Sequence, residues 1–235
     1  MSYETRYVIV AGVAWIRTTR VLGAETLWAV TFDGPEPVVR RGPAGGATIE
    51  RGTLDDLDWE LTWEEIAPRF ETPHAALRRV APTRLTTSPA VLVSGRIGDR
   101  TLDAAPGHTA HLAGRRHART WGWAHASTAD GRYVHLLTAS APPLPRVSQY
   151  ATERRGPGLP LARGTVAPPA VSVGPYTVEA DPETFVGLEY TDTDGSSIWC
   201  YHSEAGRLRG PDTELDGAAM EIAVRARIPG WRVAP

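Results

Sequence analysis

Twenty prolines and 23 glycines break this chain every few residues, and that punctuation limits what it can fold into. No long segment repeats apolar residues at i, i+3, i+4 and i+7, the spacing of an amphipathic helix. The segments between breakers alternate instead. WELTW (59–63) sets Trp59, Leu61 and Trp63 against Glu60 and Thr62. Residues 89–104 read as two strands around Gly98-Asp99, residues 119–139 as a hairpin around Asp130-Gly131, and residues 184–203 as another around Asp194-Gly195. Residues 218–228 alternate up to Pro229. Asp-Gly between alternating runs is a strong hairpin signal. The expectation is an all-β, antiparallel sandwich or barrel with few short helices, one of them near 71–80.

Residues 153–169 (ERRGPGLPLARGTVAPP) read as a Pro/Gly-rich connection. It would join an N-terminal half, 1–152, to a C-terminal β half, 170–235. A single two-part barrel with a long crossover would give the same pattern.

The 235 residues are enough to bury a core without staples. A formal net charge of −2 gives no reason to expect a nucleic acid or an anionic membrane surface as partner. All the basic side chains other than histidine are arginine, which with the abundant Ala, Gly and Pro reads as coding bias. Cys200 is the only cysteine, so no disulfide forms within the chain, and its place between Trp199 and Tyr201 suits a small buried filler. The apolar run near the N-terminus is too short to span a bilayer and lacks a basic leader. The expected setting is cytoplasmic, with no membrane insertion.

The chemistry gathers in AHLAGRRHARTWGWAHAS (110–127) and its surroundings, where five of seven histidines lie between 108 and 135. On a strand, Trp121, Trp123 and His125 share one face, while Gly122, Ala124 and Ala126 share the other. The bare face suits close packing, and the large face suits the wall of a ligand cavity or plain core. His108, His111 and His117 fall in or beside the loop GHTAHLAGRRHA. His135 lies on the return strand, opposite His125 or turned away from it according to loop length. His108-x2-His111 and His117-x7-His125 match no standard zinc spacing, so the expectation is no metal and no cofactor. There is no G-x-S-x-G and no G-x-G-x-x-G.

The run PGHTAHLAGRRHARTWGWAHAS resembles a motif of lipocalin-like proteins related to hydroxyneurosporene synthase (carotenoid 1,2-hydratase) and the AttH group. In that motif a histidine-bearing loop precedes a W-x-W-x-H strand. Gly107, His111 and Gly114 match the loop, and Trp121, Trp123 and His125 match the strand. EYTDTDGSSIWCYHS (189–203) resembles the family's C-terminal hairpin. Ala113 stands where the loop often carries Trp. The resemblance implies two lipocalin-like β-barrel halves packed together, with a ligand pocket within or between them. It also implies relatives that hydrate isoprenoid double bonds or promote Diels–Alder cyclisation.

The resulting expectation is a cofactor-independent cyclase or isomerase acting on an apolar polyketide- or terpenoid-like molecule in natural-product biosynthesis. His111 and His125 would be the acid groups. Trp121, Trp123, Arg115, His135 and Tyr201 would line the substrate. The alternative is a non-catalytic carrier of a hydrophobic small molecule, which needs no titratable group in its pocket.

Overall fold

The computed structural model describes all residues except 1–2, 33, 35, 73–82, 116–117, 141–145, 157–161, 193 and 235. A strand forms in each of the alternating runs, although the last ends at Val224 and not at Pro229, and no α-helix occurs among the described residues. The first sheet is built from β1 (Tyr3–Val10), β2 (Ala14–Val21), β3 (Ala24–Thr31), β4 (Val38–Pro43), β5 (Arg51–Leu54), β6 (Leu57–Glu65), β7 (Phe70–Thr72), β8 (Thr83–Ile97) and β9 (Arg100–Gly114). The second holds β10 (Thr120–Ser127), β11 (Tyr133–Ser140), β12 (Val147–Thr152), β13 (Gly164–Ala167), β14 (Ala170–Val173), β15 (Tyr176–Glu179), β16 (Val186–Thr191), β17 (Ser197–Gly210) and β18 (Thr213–Val224).

Every described pairing within the sheets is antiparallel, and each sheet has nine strands. The first runs β4-β3-β2-β1-β9-β8-β6-β5 and the second β12-β11-β10-β18-β17-β15-β14-β13. Both curl until their ends nearly meet. In the first, Arg40 of β4 reaches Asp56 in the β5–β6 turn at 2.6 Å. In the second, Gly164 of β13 lies against Ser148 of β12. Curling hides edge strands that would otherwise invite pairing with other chains. The result is the expected pair of lipocalin-like β halves.

Each half fills its own interior. Val8, Val10, Ile16, Leu27, Leu61 and Val93 belong to the first core. Ala124, Leu136, Val171, Leu208, Met220 and Ile222 belong to the second. A third cluster lies between the halves and joins Ile9, Trp15, Trp28 and Val30 to Trp123, Val186, Leu188 and Ala219. The strands of this seam are therefore buried on both faces: Ala14 to Thr19 in β2 are all buried in unbroken sequence. A buried aromatic removes roughly 150–250 Å² from water, worth on the order of 4–6 kcal/mol before entropy is counted.

Four expectations need correction. The division between sheets falls at residues 115–119, so β10 to β12 belong to the second sheet and not to an N-terminal half ending at 152. Residues 164–167 of the expected connection form β13, and the strands before and after it belong to the same second sheet, because Pro and Gly mark turns whether or not a sheet ends there. GHTAHLAG is not a loop: it completes β9, paired on both sides through Gly114. Of the helix expected at 71–80, residues 71 and 72 are in β7, and the rest lie outside the described residues.

Candidate functional site

The seam carries two groups of buried polar side chains joined by a run of indoles. The first is a histidine triad. His108 comes from β9 of the first sheet, and His125 and His135 come from β10 and β11 of the second. His125 and His135 stand directly opposite each other, which settles the loop-length question in favour of facing rings. All three are buried, at 0%, 3% and 1% exposure. His108 stacks on His125 with ring centroids 4.3 Å apart, and His135 lies 6.0 and 5.9 Å from them. Tyr7, Trp123 and Phe70 wall the group at centroid distances of 5.3, 5.1 and 5.2 Å. None of the six ring nitrogens has a hydrogen-bond partner. Burial holds all three imidazoles neutral, and the mutual repulsion of the rings adds to that for His108 and His125, opposed at His125 by a weak contact with the Pro89 backbone. His135 is pushed down to about 3 by burial alone.

The second group is a charge network. The Arg17 guanidinium of β2 donates to Glu221 of β18 at 3.2 Å. Trp121 Nε1 donates to the other carboxylate oxygen of Glu221. His202 Nδ1 of β17 is 3.3 Å from Glu221, an ion-pair distance without hydrogen-bond geometry. His202 lies between Trp15 and Trp28, with centroids at 4.8 and 5.0 Å. Burial pushes it down to about 4, although Glu221 opposes the shift. Arg17 also lies over the rings of Tyr190 and Trp28, at 5.0 and 5.5 Å. Trp121, Tyr190 and Glu221 remain partly exposed, so the network reaches solvent at one end.

Trp123 connects the two groups: it meets His108 on one side and Trp15, 5.9 Å away, on the other. Beside the charge network, the Nε1 atoms of Trp15, Trp28 and Trp123 and the Tyr190 hydroxyl are buried without partners. An unpaired buried donor costs roughly 1–3 kcal/mol, so the seam presents several donors in need of acceptors.

The residues predicted from sequence separate cleanly. Trp121, Trp123, His125 and His135 all face the seam, and the bare Gly122 face packs inside the second half, where an added Cβ would meet Val171 at 2.7 Å. His111 does not join them: its side chain is 44% exposed and pairs with Glu4 at 2.9 Å. Its distance from the seam follows from β9 being a strand, which sends His108 and His111 to opposite faces. Arg115 is exposed. Tyr201 faces the interior of the second half, where its hydroxyl accepts from Ile228 N at 2.8 Å and its ring meets Trp231. His117 lies outside the described residues. Burial raises the Cys200 thiol well above its ordinary value, as suits a filler.

Sequence reasoning missed Arg17, His202 and Glu221. The available signal was a charge at an inward period of an otherwise apolar run: Glu221 within AAMEIAV and Arg17 after VAWI. The spacing argument against a metal compared neighbours in sequence, whereas the fold gathers its histidines from three strands in two sheets.

No family model matches the chain, and no solved structure matches it. It is similar to the uncharacterized protein MT0513 of Mycobacterium tuberculosis strain CDC 1551 and to the uncharacterized protein Rv0493c of strain H37Rv. Each is 28% identical over 201 residues, covering 73% of this chain. The matched part spans 59% of each relative's length.

Proposed function

We propose that the seam binds a largely apolar small molecule with a neutral oxygen acceptor and transforms it by proton transfer, as a cyclase, isomerase or hydratase. The observation that carries this reading is the set of unpartnered donors, Trp15, Trp28 and Trp123 Nε1 and the Tyr190 hydroxyl, beside the Arg17–Glu221–His202 network. Indole faces hold a flexible polyene in a folded shape, and such positioning can contribute up to ~7–11 kcal/mol to barrier lowering. They also favour developing positive charge.

The charge balance narrows the ligand. Arg17 is already neutralised by Glu221, so a substrate carboxylate would have to displace Glu221, whereas a carbonyl or hydroxyl would not. Neutral His202 accepts a proton, and Glu221 beside it stabilises the imidazolium that forms. Arg17, fixed by Glu221 and two rings, donates to the oxygen on which charge develops. The acid–base role thus passes from His111 and His125 to His202 and Glu221, while Trp121 and Trp123 keep the role of substrate wall. The resemblance to lipocalin-like hydratases and cyclases supports the same class of reaction.

The test uses neutral polyenes and polyketide-like ketones, with binding read by tryptophan fluorescence and products by chromatography and mass. Cyclisation or isomerisation gives a new peak at unchanged mass, and hydration adds one water. His202→Phe should bind and lose ~10²-fold or more in turnover. Binding without turnover by the wild type would favour the carrier, and absence of binding would remove the reading.

A further inference from the structure

We propose that His108, His125 and His135 form a binding site for one zinc-class divalent transition metal ion, with a fourth coordination position left for water or another small oxygen donor. The inference does not depend on the seam's proposed chemistry, because no residue of the triad belongs to the Arg17–Glu221–His202 network.

Two observations converge. The ligand atoms of the three histidines lie within 4.8 Å of one another. All six ring nitrogens are buried without a well-formed hydrogen bond, His125 having only a weak contact with the Pro89 backbone, and that placement is costly enough to call for an occupant.

The donor set selects the metal. Three imidazoles and no carboxylate suit zinc, cobalt, nickel or copper and disfavour magnesium and calcium, which take oxygen ligands. Three protein ligands with an open position is the coordination of reactive rather than purely structural zinc sites. The walls of Tyr7, Phe70 and Trp123 supply the apolar surroundings that strengthen an ion's hold on its ligands.

The geometry also states what must move. Tetrahedral zinc with bonds of about 2.0–2.1 Å brings nitrogens to roughly 3.3 Å from one another. His108 and His125 are stacked at an interplanar angle of 24°, and stacked rings do not aim two nitrogens at one ion. Loading therefore unstacks His108 from His125 by side-chain rotation.

The experiment uses untagged full-length protein, stripped with chelator and titrated separately with zinc, cobalt and magnesium. The expected result is one equivalent of zinc, one of cobalt with the visible absorption of a tetrahedral centre, no magnesium, and a zinc-dependent rise in Tm. His108→Gln, His125→Gln and His135→Gln should each weaken zinc binding by about 100-fold or more, while His111→Gln leaves it unchanged. Where a variant fails to fold, nitrogen NMR of the wild-type imidazoles takes its place: zinc must shift the three buried rings and leave His111 in its original position. No stoichiometric uptake, zinc binding that survives all three substitutions, or zinc shifts confined to His111 would each overturn the site.

Discussion

The two buried groups of the seam are built from similar material and satisfied very differently. In the charge network, Glu221 is met by Arg17, Trp121 and His202. In the triad, three imidazoles face one another with no counter-charge and no well-formed hydrogen bond. Both are buried, so both carry the desolvation penalty of taking polar atoms from water. The network recovers much of it within the protein through the Arg17–Glu221–Trp121 contacts. The difference teaches that burial of polar groups in this seam has two meanings: one group carries its own counter-charge, although both His202 nitrogens stay without a hydrogen bond, and the other has no counter-charge until an occupant supplies one.

Acid should break the comparison first. The folded values of His108, His125, His135 and His202 lie below the ordinary 6.5, so between pH 6.5 and about 4 the unfolded chain binds more protons than the folded one. Stability is therefore full above pH 6.5 and falls as pH drops, by about 1.4 kcal/mol per pH unit for each histidine. His135→Leu should flatten the acid limb by one histidine's share, measured by urea unfolding across pH.

Next in size is the network itself. Glu221→Leu leaves Arg17 buried without its partner and should cost about 3–5 kcal/mol, whereas Arg17→Met with Glu221→Leu together should restore most of that. Urea midpoints of the three variants check this, and a double variant as unstable as the single one would show that the network's value does not lie in its pairing. A third effect is smaller and opposite in pH sense. Burial raises the Glu204 carboxyl well above its ordinary range, and Gly12 N donates to it at 3.3 Å. Its contribution is present below pH 4.5 and lost as pH rises through the folded value. Glu204→Gln should therefore gain about 1–3 kcal/mol near neutrality and nothing at pH 4. The smallest effect belongs to His111→Ala, which should change stability by less than ~0.5 kcal/mol and leave turnover intact.

The strands were legible because alternation and Asp-Gly turns are local signals. Gly131 and Gly195 adopt φ of 84° and 82°, the left-handed conformation that those turns demand. The shared face of Trp121, Trp123 and His125 was legible for the same reason. The sheet boundary was not, because β10 pairs with β18 some 95 residues away, and no local pattern encodes that partner. His108 was misplaced with His111 because the turn-like GHTAHLAG hid a strand. Arg17 and Glu221 meet across 204 positions of sequence, and each looks alone like a surface charge.

The most direct measurement is a double-mutant cycle on His125 and His135, run by urea unfolding of the stripped protein with and without zinc. Without metal, the two rings should show only a small coupling, because an edge-to-face contact, and no bond, joins them. With zinc, the coupling should become favourable by well over 1.4 kcal/mol, tenfold or more in the unfolding equilibrium. A coupling that is already strong without metal, or one that zinc leaves unchanged, would contradict the account of the triad as a group completed by its occupant.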